Sequence, residues 1–167
     1  DISISDLTAD GNQSAFTIAN ANLVPSGIRV DYSDGVFVHN VEILNTLGDG
    51  LRLSGCRNAT VRGIRMESVG QSSISNLAKN GLNLIGDAGA SGEWGLNYDI
   101  SDVTMISVGD EAIQAGGINL LSINDIDVDG CDFVFETSIE SGTTGISCRD
   151  WTISNLSSRN VLDFFFT

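Results

Sequence analysis

One eight-residue pattern recurs along the whole chain and leaves few folds open to it. It reads apolar, any, apolar, any, small polar or Gly, apolar, any, apolar. It opens the chain as Ile2-Ser3-Ile4-Ser5-Asp6-Leu7-Thr8-Ala9 and returns at residues 36–43, 59–66, 98–105 and 121–128. A shorter version begins Trp151-Thr152-Ile153-Ser154-Asn155-Leu156. Alternating apolar and polar residues mark a strand with one buried face, and the break at the fifth position means that the chain bends there before it continues. The fifth residues are Asp6, Asn40, Gly63, Asp102, Asp125 and Asn155. These are the residue types that tolerate the left-handed conformation of a one-residue corner.

A further short strand, announced by Gly or Ala, precedes most of these units: Gly27-Ile28-Arg29-Val30, Gly50-Leu51-Arg52-Leu53, Gly81-Leu82-Asn83-Leu84 and Ala112-Ile113-Gln114-Ala115. Where nothing is inserted, equivalent residues recur every 23 positions, as from Asn40 to Gly63 and from Asp102 to Asp125. That period is short for a strand-helix-strand unit and right for one coil of a solenoid. The expected fold is therefore all-β, a right-handed parallel β-helix of about five to six coils of three short strands each. Stacked coils would place strands ~4.8 Å apart around a column of Ile, Leu and Val. Helices are disfavoured because no apolar stripe at helical spacing persists for ~12 residues. A sandwich of antiparallel hairpins is the remaining alternative, although it would not require a bend residue at one fixed place in every repeat.

With 167 residues and 41% hydrophobic content, the chain is expected to form one domain, residues 1–167. The repeat is already running at Asp1 and is still apolar through residues 161–166, so the chain reads as a portion of a longer protein or assembly. Longer coils carry insertions at residues 71–79, 87–94 and 136–144, which are expected as surface loops.

Twenty-two acidic residues against seven Arg and one Lys give a formal charge of -14, which repels nucleic acid phosphates and anionic membranes. No apolar stretch approaches the ~18 residues of a membrane-spanning helix, so membrane insertion is not expected. This acidity fits a halophilic source, an ordinary acidic secreted protein, or calcium held between coils. The three cysteines, Cys56, Cys131 and Cys148, form no metal or redox motif. They read as small buried or turn residues, with Cys148 pointing inward.

The opening Ile4-Ser5-Asp6-Leu7-Thr8-Ala9-Asp10-Gly11-Asn12 and the repeated Gly-Asp turns resemble the pectate-lyase-like β-helix superfamily. That superfamily holds pectate lyases, polygalacturonases, mannuronan epimerases and phage tailspikes. Against mannuronan epimerases, Asp49, Arg52 and Ser54 stand at the Tyr, Asp and His places of a Tyr-Gly-Phe-Asp-Pro-His run. Against polygalacturonases, Val108-Gly109-Asp110-Glu111-Ala112-Ile113 looks like the paired-carboxylate motif, with Glu111 in place of the second Asp, while the flanking Asn-Thr-Asp and Gly-His-Gly have no counterpart. Tailspikes impose no such motif, and their acidic and aromatic sites on a β-helix face are the closest in character.

Aligning the strands that begin at Ile28, Leu51, Leu82 and Ile113 stacks Ser26, Asp49, Asn80 and Glu111 in one column, flanked by Lys79 and Asp110. Arg29, Arg52, Asn83 and Gln114 extend it sideways with groups suited to sugar hydroxyls or uronate carboxylates. Asp49 and Glu111, two coils apart, are expected ~9 to 10 Å from each other, at the upper end of inverting-glycosidase spacing. Asp110 beside Glu111 would raise the pKa of one of them and supply an acid. Catalysis, if present, is thus expected at Asp49, Asp110 and Glu111. Binding is expected at Arg29, Arg52, Asn80, Asn83, Gln114 and Trp94, the last in an insertion where its ring would stack on a sugar.

The motifs require no cofactor. Calcium is the one ion that suits Asp110 with Glu111, or the run Asp125, Asp127, Asp129 and Asp132. The partner expected is a polysaccharide or cell-surface glycan, outside the cell or on a virion, with a homotrimer or larger assembly open. A secreted polysaccharide hydrolase or lyase, and a purely structural spacer, are the competing functions.

Overall fold

A computed structural model describes residues 1–12, 26–71, 79–86, 95–137 and 148–166, with side chains as far as Phe164. The inserted residues 72–78, 87–94 and 138–147, with Trp94 among them, lie outside the described residues, as do residues 13–25. Ten strands form the fold: β1 (Ile2–Asp10), β2 (Ile28–Asp31), β3 (Asp34–Leu44), β4 (Leu51–Ser54), β5 (Arg57–Val69), β6 (Leu82–Ile85), β7 (Leu96–Val108), β8 (Glu111–Gly116), β9 (Asn119–Thr137) and β10 (Arg149–Phe166). Among the described residues there is no helix long and apolar enough to cross a membrane.

All strands belong to one sheet in the order β1-β3-β5-β7-β9-β8-β6-β4-β2, with β10 added on β9, and every pairing is parallel. Parallel pairing throughout removes the antiparallel sandwich. The long β9 closes the winding, because its first half pairs with β7 while residues 133–137 pair with β8. The result is an all-parallel, solenoid-like sheet wound nearly closed on itself.

All six corner residues are left-handed, with φ of 53° at Asp6, 52° at Asn40, 61° at Gly63, 54° at Asp102, 56° at Asp125 and 50° at Asn155. Register stacks them in one column, since Ser5, His39, Arg62, Ser101, Asn124 and Ser154 pair in succession just before them. The strands on either side of this corner run together as one bent strand, so a coil holds one short and one long strand rather than three short ones.

Inward residues form the core as columns. Val38, Val61, Ile100 and Ile123 are wholly buried in register, as are Leu53, Leu84 and Ala115. Tyr98 is also buried, where its hydroxyl accepts the Cys56 N–H at 2.9 Å. Cys56 and Cys131 are buried as expected. Cys148, expected inward, is exposed: it enters β10, a strand paired only with β9 among the described residues, and its Sγ meets only the Gly117 N–H at 3.3 Å. Trp151 packs inward, its indole edge on the Phe135 ring at 6.1 Å and its N–H on the Ile118 carbonyl.

Candidate ligand-binding face

The short strands β2, β4, β6 and β8, with residues 133–137 of β9, make one face of the coil. Their apolar positions turn inward: Leu51, Leu82 and Ile113 are fully buried. The alternate positions form a column in the order Arg29, Arg52, Asn83, Gln114 and Glu136. One residue before each short strand, Gly50 and Gly81 have no room for a side chain. A Cβ on Gly50 would lie 2.7 Å from Met66 Sδ, and one on Gly81 2.4 Å from Met105 Sδ. The methionines therefore fill the core directly behind this face.

The second expected column is also in register, with backbone bonds from Gly27 N to Asp49 O, from Gly50 N to Asn80 O and from Gly81 N to Glu111 O. Its members differ in what they expose. Asp49 is 2% accessible, with Oδ1 accepting the Asn80 N–H at 3.1 Å and Oδ2 accepting the Asn83 amide at 2.9 Å. Burial raises its pKa, and those two bonds together with Arg52 and Arg29 act against the rise. Asp49 thus locks two adjacent coils together, and its oxygens do not open into a shared groove with Glu111.

Asn80 and Asn83, each 1% accessible, continue the network. The Asn80 amide donates to Gln114 Oε1 at 3.0 Å, and the Gln114 amide donates to Glu136 Oε2 at 2.8 Å. The Oδ1 atoms of Asn80 and Asn83, and Nε of Arg52, are buried with no partner among the described residues. Buried polar atoms are seldom left so, and Asp31 Oδ1, Arg57 Nε and Asn119 Oδ1 share this state among the described residues. Arg29 is exposed and paired with Asp31 at 2.7 Å.

At the end of the face lies a carboxyl pair. Burial, with the nearby Asp110 and Glu136 carboxylates acting in the same direction, pushes the Glu111 pKa up to about 7. Asp110 is raised as well, by burial first and by Asp132, with Lys79 acting against the rise.

Sequence reasoning named Asp110 and Glu111 but missed Glu136 and Asp132 as their companions. The signal lies in register alone: Gln114 pairs with Glu136, and Asp132 N reaches Asp110 O at 2.9 Å. Of the Asp run only Asp132 comes here, and the other three members are otherwise engaged. Asp125 accepts from Asn155 at 3.0 Å, Asp127 from Ser157 at 2.7 Å and Asp129 from Asn160 at 2.7 Å. Among the described residues no group of three or more His, Cys, Asp or Glu side chains has the arrangement to hold a metal ion.

No protein-family model, curated protein or solved structure matches the chain.

Proposed function

We propose that the chain is part of a right-handed parallel β-helix of pectate-lyase-like type, closest in character to a tailspike, and that its short-strand face recognises a polysaccharide outside the cell or on a virion surface. One observation carries this reading: a column of hydrogen-bonding side chains, one per coil, beside buried amide and guanidinium atoms that have no partner among the described residues. Guanidinium, amide and carboxyl groups in that order complement hydroxyl groups, which both donate and accept. A polar face also suits an extended chain of sugars better than a compact apolar ligand, which takes a concave apolar pocket. Assembly into a homotrimer or larger particle belongs to the same reading, and sedimentation of the intact protein measures it.

The test is binding to immobilised polygalacturonate, alginate, xylan and dextran. The wild type is expected to retain at least one of them, and Gln114→Ala with Glu136→Gln to release it. Retention of none marks the face as structural.

A second reading, hydrolysis, is favoured by the Glu111–Glu136 pair, because a carboxyl that keeps its proton near pH 7 suits a general acid. It predicts release of reducing ends that fades as pH rises past about 7 and vanishes in Glu111→Gln. Binding without such release would assign the chain to recognition alone.

A further inference from the structure

The corner column carries a second feature, remote from the short strands. At its two ends the corner side chains form a ladder: the Asn40 amide donates to Asp6 Oδ1 at 3.2 Å, and the Asn155 amide to Asp125 Oδ1 at 3.0 Å. Gly63 interrupts it. It is the one corner residue without a side chain, and a Cβ there would lie 3.0 Å from Asn40 Oδ1. An Asn would satisfy the same left-handed backbone and extend the ladder, as Asn40 and Asn155 do. Glycine instead leaves a notch between Asn40 and Asp102.

The notch opens into a shallow hollow of about 470 Å³. One wall is the Phe37 ring, 52% exposed where its register mate is Thr60. His39 and Arg62, paired in register, form the floor beside it, and Arg62 leans towards Asp99 at 3.6 Å. Asp102 closes the far side, with Gly63 on one neighbouring coil and the carboxylate of Asp125 on the other, so neither corner neighbour offers it a donor.

A half-exposed aromatic side chain, an amide, a carboxylate and a guanidinium around a side-chain-free notch suit a small polyhydroxylated ring. The ring presents a flat apolar surface, and the polar groups supply donors and acceptors at its edge. We propose that this notch binds a single pyranose ring, stacked on Phe37 with hydroxyls directed to Asn40 and Asp102. The site shares no residue with the short-strand face and stands whether or not that face binds.

The experiment is proton–nitrogen NMR of the intact protein, titrated with the methyl pyranosides of glucose, galactose, mannose and rhamnose. At least one is expected to shift the Asn40, Gly63 and Asp102 amides and to leave the Asn83 and Gln114 amides still. Phe37→Ala, a change at a half-exposed ring, is expected to abolish the shifts. Gly63→Asn is expected to abolish them too while melting at the wild-type temperature or above. The proposal is overturned if no pyranoside moves these amides, or if either folded variant binds as the wild type does. Should Gly63→Asn not fold, Phe37→Ala decides alone.

Discussion

A single left-handed residue turns this chain through a corner, and the cost of that conformation decides which residues stand there. For most L-residues it costs roughly 1 to 2 kcal/mol, and Asn or Asp lowers that cost by local hydrogen bonding. Asn40→Ala is therefore expected to destabilise the fold by about 1 to 2 kcal/mol, most of it strain because the bond to Asp6 is exposed. Asn40→Gly is expected to cost less, and urea denaturation of the two variants reads the difference. Corner identity was legible because the repeat places Asp, Asn or Gly at one fixed step. A second set of bonds was not. Asn45, Asn58 and Asn160 donate to Asp10, Asp34 and Asp129, each the residue before a Gly on the adjoining coil. The partners are 35, 24 and 31 residues apart, spacings set by insertions that no local pattern reveals.

Among the elements, the short strands depend on the glycines that introduce them. A methyl at Gly81 would meet Met105 Sδ at 2.4 Å and the Ala112 carbonyl oxygen at 2.7 Å, and the backbone atom cannot swing away. Gly81→Ala should cost about 1 to 3 kcal/mol by overpacking, read as a lowered melting temperature. The sequence shows Gly or Ala before each short strand but not what lies behind it, because the methionines arrive from the long strands that follow, β5 and β7. Register explains the missed carboxylates too. Near Phe133 the apolar pattern admits two alignments, and only pairing with β8 sets Glu136 beside Glu111. That pairing has a pH signature. Glu111 rises from 4.5 to about 7 on folding, so the folded chain binds more protons across that interval. The stability tied to this proton is full below about pH 4.5 and is lost as pH rises through about 7. Melting temperature should fall across the interval in the wild type, and Glu111→Gln should flatten the fall.

For the whole molecule, repetition made the architecture legible and hid the chemistry. Inward positions repeat from coil to coil and so announce the core, whereas the alternate positions change from Arg29 and Arg52 through the buried Asn83, then Gln114, to Glu136. That change gives the short-strand face a cationic end and an acidic end, on a chain whose net charge is -14. Asp49 shares its column with Glu111 and is buried, its carboxylate tied to Asn80 and Asn83 of the next coil, contacts that register alone reveals. The account rests on the remaining polar column meeting a glycan. The most direct measurement is retention of the intact protein on polygalacturonate, alginate, xylan and dextran, beside the Gln114→Ala, Glu136→Gln double variant. Retention of the wild type by at least one polymer, lost in a variant that melts within a few degrees of it, is the predicted result. Equal behaviour of the two proteins on every polymer would contradict it.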